Sequence, residues 1–238
     1  MTTSPLLQQC RWHPVADVVA LRAEVARRTL DAATRAIRAR GRFLVVLAGG
    51  DTPRGAYELL RAAGADWQHW HVYFGDERCG PPEDPARNSR MAAGAWLDHV
   101  PIPPGQVHPV PAEYGAEGGA QRYAATLAGV GDFDLVLLGL GEDGHTASLF
   151  PGQPRGDGPQ APDVLPVHGA PKPPPDRVSL GARRLGRARE VLFLVAGEGK
   201  REAVGRWRAG EDIPAGAITP AAGVDIYLEK ALLPESAV

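Results

Sequence analysis

A histidine with a carboxylate two residues before it is the feature of this sequence with the clearest chemical use. His145 lies in a glycine-rich stretch, and Asp143 is close enough along the chain to orient its ring. An imidazole titrates near neutrality, so it can take up and release a proton within one reaction cycle. The structural alternative is a histidine packed under a turn. As a functional pair, the two residues predict general acid–base catalysis.

A second polar segment, Asp76-Glu77-Arg78, follows a predicted buried strand. Open α/β sheets bind ligands at the carboxyl ends of their strands, which is where this segment is expected. Arg78 would hold a phosphate or carboxylate with its planar guanidinium group. Asp76 would orient a proton carrier or accept a substrate hydroxyl. A solvated turn with an internal ion pair is the structural alternative.

A glycine-containing loop follows another predicted strand and predicts an anion site. Gly49 and Gly50 allow close backbone approach, Thr52 is a natural N-cap, and Pro53 suits the first helical position. The loop would present backbone N–H groups and the positive end of a helix dipole to one point. An ordinary strand-to-helix turn is the alternative, because the spacing matches neither a P-loop nor a dinucleotide-binding fingerprint.

A basic, proline-rich segment is the fourth candidate. Lys172 and Arg177 flank three consecutive prolines at 173–175, and the chain has only two other lysines. Prolines stiffen the backbone, so the two cations would lose little entropy on binding a phosphate. A loop with solvated charges is the alternative.

Alternating patterns predict the elements that position these segments. Short apolar runs predict strands at residues 43–47, 71–74, 133–138, 190–196 and 226–228, and helices are predicted at 15–40, after the glycine loop, and at 88–98, 120–127 and 200–207. Strands alternating with helices predict an α/β fold with a mainly parallel twisted sheet and helices on both faces. We expect a single domain over residues 1–238, with a long proline-rich loop at 151–175.

Composition limits the classes of function. The chain has 238 residues, 44% of them hydrophobic, and a net charge of -2, so it suits a folded domain without a general attraction to nucleic acid. Cys10 and Cys79 have no disulfide or metal-ligand spacing. Residues 1–11 lack the pattern of a signal peptide, and no apolar run approaches the length of a membrane span. We expect a cytoplasmic protein that needs no metal and is able to act as a monomer.

Together the four segments resemble the 6-phosphogluconolactonase family, in the same order from about residue 45 to 228. The stretch Asp-Gly-His-Thr-Ala-Ser-Leu-Phe-Pro at 143–151 is highly specific, and Lys-Pro-Pro at 172–174 followed by Arg-Val-Ser-Leu at 177–180 is characteristic. The segments at 49–53 and 76–78 are shared with the related glucosamine-6-phosphate deaminases, so they indicate the superfamily.

The resemblance implies hydrolysis of 6-phospho-D-glucono-1,5-lactone to 6-phospho-D-gluconate, without metal or organic cofactor, on a Rossmann-like sheet of the deaminase/lactonase type. It implies that His145 transfers the proton and that Asp76 and Asp143 are active-site acids. It also implies basic residues near the substrate at Arg78, Lys172 and Arg177. The sugar-phosphate loop that it implies contains Gly49, Gly50 and Thr52.

The chain departs from the family pattern at three places. Asp51 stands where serine is common, so we expect its carboxylate to turn away from the phosphate and leave a backbone cradle. Cys-Gly-Pro at 79–81 replaces bulkier residues. A common Ser-Asn pair reads Arg-Asn-Ser at 87–89, so only Asn88 is carried over as a binding residue.

The hypothesis is that His145 removes a proton from the attacking water and returns it to the leaving ring oxygen, with Asp143 or Asp76 orienting the imidazole. The main alternative is a deaminase or isomerase, whose additional carboxylate just after the histidine is replaced here by Thr-Ala-Ser-Leu at 146–149. A non-catalytic sugar-phosphate-binding domain is the third possibility. The small-molecule substrate is the only partner implied, with no nucleic acid or membrane.

Overall fold

The structure is a computed structural model that describes residues 8–234 of the chain. Within this range, the nine strands in chain order are Cys10–Val15 (β1), Phe43–Leu47 (β2), Trp70–Phe74 (β3), Asp76–Arg78 (β4), Phe133–Gly139 (β5), Val164–Val167 (β6), Arg177–Leu180 (β7), Ala188–Val195 (β8) and Val224–Glu229 (β9). The α-helices of the same range are Val18–Arg40 (α1), Asp51–Leu60 (α2), Asn88–Ala95 (α3), Gly115–Thr126 (α4), Ala182–Gly186 (α5) and Arg201–Arg208 (α6).

Six strands form a wholly parallel sheet in the order β1-β9-β8-β5-β2-β3. All five residues of β2 are buried, so both faces of the sheet centre are covered. The predicted α/β fold with a mainly parallel sheet is therefore confirmed. From β2 the chain runs outward to β3 on one side, whereas β5, β8 and β9 extend the sheet on the other. The carboxyl ends of β2 and β5 thus flank the switch point of the topology, where such sheets bind ligands.

The first helix shows how local signals set its bounds. The side chain of Asp17 accepts a hydrogen bond from Ala20 N at the start of α1, and Gly41 ends it with φ 74°. The predicted helix at 15–40 begins too early because Val15 belongs to β1. Strand β1 was not predicted; it is an edge strand paired only with β9, and Pro14 disguises its pattern.

A second, antiparallel sheet in the order β4-β7-β6 corrects two predictions. The segment at 76–78 was expected to be a turn and is strand β4, while the expected loop at 151–175 is interrupted by β6. These strands are three or four residues long, too short to show a period of two. Pro166 is tolerated in β6 because this strand lies at the edge of its sheet.

No helix within residues 8–234 combines the length and the apolar character needed to cross a membrane. The expectation of a single domain over residues 1–238 stays a prediction.

Two buried tyrosines satisfy backbone groups where β2 and β3 end. The hydroxyl of Tyr57 accepts from Ala48 N and donates to Ala48 O, both at 2.9 Å. The hydroxyl of Tyr123 accepts from Phe74 N at 2.9 Å and donates to Phe74 O at 3.1 Å. Because the next residues enter the carboxyl-end loops, these contacts fix the direction in which the chain leaves each strand.

We expect Tyr57→Phe and Tyr123→Phe each to lower the free energy of unfolding by about 1–3 kcal/mol, since each leaves a buried N–H and C=O unpaired. Urea denaturation followed by circular dichroism measures this. The control is Tyr114→Phe at an exposed ring, which should change stability by less than about 0.5 kcal/mol. Equal effects at all three positions would contradict the assignment.

His168 links the loop after β6 to a neighbouring helix. Its Nε2 lies 2.6 Å from Glu117 Oε1 on α4, and its Nδ1 lies 2.9 Å from Asp176 Oδ1 just before β7. The hydrogen bond to Asp176, followed by that to Glu117, raises the pKa of His168 above 6.5. Protonated His168 therefore joins α4 to both ends of the segment that carries Lys172.

The raised pKa means that His168 stabilises the fold most below pH 6.5, and that this contribution is lost as pH rises through the folded-state pKa. We expect the stability difference between wild type and His168→Gln to shrink steadily from pH 6 to pH 9 in chemical denaturation. His71→Gln should show the opposite trend, because burial, with help from Arg42, lowers the pKa of His71. A difference that does not vary with pH would refute the ion-pair interpretation.

Candidate active site

A cavity of about 480 Å³ lies at the carboxyl ends of β2 and β5. It is lined by the loop after β2, strand β4, the turn after β5, the segment before β7 and the N-cap residue of α6. The predicted residues that line it are Gly49, Gly50, Asp76, Arg78, Asn88, His145, Lys172 and Arg177, together with Asp51, Phe150 and Lys200 among others. Two predicted residues, Asp143 and Thr52, are not on its wall.

The loop after β2 presents Gly49 and Gly50 to the cavity, and the cap of the helix that follows differs from the prediction. Gly50 is the N-cap of α2, with φ 104°, and Arg54 N donates to Gly50 O in the first helical hydrogen bond. Thr52 is therefore the second helical residue and not the N-cap, because the conformation of Gly50 starts the helix two residues earlier than predicted. Asp51 turns outward: its side chain is 87% exposed and lies 3.5 Å from Arg54 Nη2.

Gly49 allows the closest approach in the cradle. A Cβ atom there would lie 1.9 Å from Asn88 Oδ1, which no side chain could accommodate without displacing Asn88. Asn88 itself is fixed from β4, since its Nδ2 donates to Asp76 O at 2.9 Å and to Asp76 Oδ1 at 3.0 Å. The structure thus places Asn88 in contact with both Gly49 and Asp76.

His145 is held by Asp143 and not by Asp76. His145 Nδ1 lies 2.5 Å from Asp143 Oδ1, and the same oxygen accepts from His145 N at 3.0 Å. This contact places a proton on Nδ1 and leaves Nε2 as the ring atom free to exchange protons. Burial opposes ionisation of Asp143, but hydrogen bonds from His145 and the charge of its ring outweigh burial and lower the pKa of Asp143.

The turn after β5 brings the imidazole against the backbone. A Cβ atom on Gly141 would lie 2.0 Å from His145 Nδ1, so this position accepts only glycine while the ring keeps its place. Gly144, just before the histidine, has φ 87°. The imidazole of His145 packs on the ring of Phe150, with the ring centroids 4.7 Å apart. The hydroxyl of Thr146 donates to Gly139 O at 2.8 Å, which ties the turn back to the end of β5.

Asp76 is buried and both of its carboxylate oxygens are engaged. Oδ1 accepts from Asn88 and Oδ2 accepts from Ser148 Oγ at 2.6 Å. Among the hydrogen bonds and ion pairs of residues 8–234, none joins Asp76 to His145. Asp76 therefore contributes a fixed acceptor to the cavity wall, whereas Asp143 holds the imidazole of His145.

Glu77, seen in the sequence only as part of a charged segment, anchors the helix that carries Asn88. It is fully buried; Oε1 accepts from Asn88 N at 2.6 Å and Oε2 accepts from Ser89 N at 2.9 Å. The carboxylate thus caps the N-terminus of α3 from strand β4, where the residue at the cap position, Arg87, supplies no side-chain hydrogen bond. No local pattern reveals such a cap, because its donor and acceptor come from different elements.

Four cations face the cavity. Arg177 is held by three acceptors: Pro174 O at 3.2 Å, Lys172 O at 2.7 Å and Ser148 Oγ at 3.5 Å. Burial lowers its pKa. Arg78 donates to Ala86 O at 2.5 Å. Lys172 and Lys200 complete the set.

Sequence reasoning missed Lys200, which lies just after β8 and at the start of α6. Burial lowers its pKa, while the charges of Glu142 and Asp143 partly oppose this effect. Two features of the sequence could have indicated Lys200: it follows a predicted central strand, and the chain has only three lysines. The cavity is thus more basic than the sequence suggested: Asp76 is the buried carboxylate on its described wall, and the exposed side chain of Asp51 turns toward Arg54.

In the part of the chain that the structure describes, no group of three or more His, Cys, Asp or Glu side chains stands close enough to hold a metal ion. The expectation that the chain needs no cofactor stays a prediction.

Comparison with known proteins identifies relatives over nearly the whole chain. Residues 16–227 match the family model of glucosamine-6-phosphate isomerases/6-phosphogluconolactonase. A 6-phosphogluconolactonase of Synechocystis sp. is 42% identical, with 76% of this chain and 78% of the relative covered. One of Mycobacterium leprae is 38% identical, with 85% and 86% covered.

Solved structures agree with this assignment. The 6-phosphogluconolactonase of Thermotoga maritima superposes with a TM-score of 0.85 at 26% identity, covering 93% of this chain and 100% of that one. A monomeric glucosamine-6-phosphate deaminase gives 0.79 at 21% identity, with 93% and 98% covered, and shares the fold. The predicted deaminase/lactonase type of fold and the family resemblance are confirmed. The chain belongs to the glucosamine-6-phosphate isomerase/6-phosphogluconolactonase family.

Proposed function

We propose that this protein hydrolyses 6-phospho-D-glucono-1,5-lactone to 6-phospho-D-gluconate. The observation that carries the proposal is the Asp143–His145 pair beside a cavity lined by four cations. The relatives at 42% and 38% identity are named 6-phosphogluconolactonase, which supports the same enzyme class. A lactone hydrolase needs both features, a proton carrier for water and a binding site for the phosphate.

The phosphate is held by the cradle and the basic side chains in this proposal. The N–H groups at the start of α2 and its dipole favour an anion, and Asp51 points away from it. Lys172, Arg177 and Lys200 neutralise the phosphate charge. Thr52 contributes to the phosphate site through its place in the first turn of α2, although it does not line the cavity.

His145 acts as general base and then as general acid. Its Nε2 takes a proton from water as the water oxygen attacks the lactone carbonyl carbon. When the tetrahedral intermediate collapses, the bond from this carbon to the ring oxygen breaks, and the imidazolium returns the proton to that oxygen. Asp143 stabilises the imidazolium between the two steps.

Asp76 and Asn88 bind sugar hydroxyls, and Arg78 faces the developing carboxylate. Asp76 is suited to this role because Asn88 and Ser148 fix its orientation without filling all of its acceptor sites. Binding energy at the phosphate and the hydroxyls thereby holds the carbonyl against His145.

The monomeric state, the cytoplasmic location and the absence of nucleic-acid or membrane partners belong to the same proposal. Cys10 and Cys79 are both free thiols, which fits a reducing compartment. Sedimentation velocity of the purified protein tests the monomeric state.

We expect His145→Ala to lower kcat about 10²–10⁴-fold, the usual contribution of a positioned acid–base group. The assay is a pH-stat with freshly made lactone, with the spontaneous rate subtracted. His69→Ala, at an exposed ring on a short helix before β3, is the control and should keep wild-type activity.

Near-normal activity of His145→Ala would refute the proposed base. Release of ammonia from glucosamine 6-phosphate by wild type would favour the deaminase alternative. Tight binding of 6-phosphogluconate without lactone turnover would favour a non-catalytic sugar-phosphate-binding domain.

We expect Lys200→Met to raise KM about 10–100-fold for the phosphorylated lactone, the usual effect of removing one charge-assisted contact. The same variant should match wild type on unphosphorylated glucono-1,5-lactone, since no phosphate is present to lose the contact. Lys230→Met, outside the cavity, is the control. An equal loss on both lactones would show that Lys200 acts on something other than the phosphate.

A further inference from the structure

Ser148 is a buried hydroxyl behind the cavity wall. Only 1% of the residue is exposed, and it is not among the residues that line the cavity. It therefore has no direct access to substrate in this geometry. Any effect that it has on the reaction passes through its neighbours.

Those neighbours are two charged groups that do line the cavity. Ser148 Oγ donates its proton to Asp76 Oδ2 at 2.6 Å and accepts from Arg177 Nη1 at 3.5 Å. A hydroxyl has one proton to donate and lone pairs to accept, so it can serve an anion and a cation at once. Removing this hydroxyl would leave Asp76 Oδ2 and Arg177 Nη1 without these hydrogen bonds.

The backbone places this hydroxyl with little freedom. Ala147 before it adopts φ 48°, an uncommon conformation for a residue with a Cβ atom, and Ser148 N donates to Ser179 Oγ at 3.3 Å on β7. The same turn carries His145. Ser148 thus joins the turn of the base to β4, through Asp76, and to β7, through Arg177.

We propose that Ser148 is a positioning residue that fixes Asp76 and Arg177 relative to His145. The inference rests on the proposed lactonase function and deepens it. Arg177 is already tied to the carbonyl of Lys172, so the hydroxyl also connects the acid that receives the sugar to the basic segment that receives the phosphate. A substrate bound by Asp76 at its sugar and by the basic segment at its phosphate is thereby held in a fixed position relative to His145.

Ser148→Ala and Ser148→Cys test the proposal in the full chain. Cysteine is somewhat larger than serine, fills the site of the hydroxyl and is only a weak hydrogen-bond donor. We expect both variants to lower kcat/KM about 10–100-fold on the phosphorylated lactone, the range for losing a hydrogen bond to a charged group. Thr29→Val removes a hydroxyl that is equally buried but bonds only within α1, and it should keep wild-type activity.

A double-mutant cycle separates positioning from general destabilisation. If Ser148 acts through Asp76, Ser148→Ala should add little to the loss already caused by Asp76→Asn, whereas independent effects would add. Thermal unfolding of each variant identifies any that fails to fold, in which case Ser148→Cys carries the test.

Recovery of full activity in Ser148→Cys, or additive losses in the cycle, would overturn the inference. These results are distinct from failure of the proposed function, which would appear as no lactone turnover by wild type. In that event, calorimetric affinity for 6-phosphogluconate gives the same comparison: we expect weaker binding in Ser148→Ala, and unchanged binding would again overturn the inference.

Discussion

The parallel pairing of β2 with β5 brings together the two loops around which the candidate site is built. Val45 pairs with Leu135 and Val46 with Val136, so two segments far apart in the chain end side by side. The loop of Gly49 and Gly50 leaves one strand and the turn of His145 leaves the other. Outward from this pair, β3 continues into the strand of Asp76 and Arg78, while β8 delivers Lys200. The burial of these apolar strands compensates the entropy of closing such long loops.

The main sheet was predictable because its central strands carry their own signal. β2 is an unbroken apolar run and β5 is interrupted only by Asp134 before its terminal Gly139, a pattern typical of strands buried on both faces. The three strands of the second sheet carry no such signal: β4 consists of Asp-Glu-Arg, and β6 contains a proline. Their pairing is decided by tertiary contact, so a reading of local pattern assigns them to turns and loops.

The site divides in the same way. His145 and Asp143 are two residues apart, so their hydrogen bond could be anticipated from the chain alone. The choice between Asp143 and Asp76 as its partner could not, since it depends on how far β4 lies from the turn. The places of Lys200 and Ser148 could not be predicted for the same reason, because both depend on tertiary structure. Lys200 reaches the cavity from the segment after β8, and Ser148 is buried behind the cavity wall.

The outward turn of Asp51 has a consequence for how such a site changes over generations. If the loop after β2 binds its anion through backbone N–H groups, the identity of the side chain at position 51 is nearly free, and only the glycines beside it are constrained. Sequences can then drift at this position, even to a residue of the wrong charge, without losing the ligand. Comparisons of side chains alone would mistake that drift for a change of specificity.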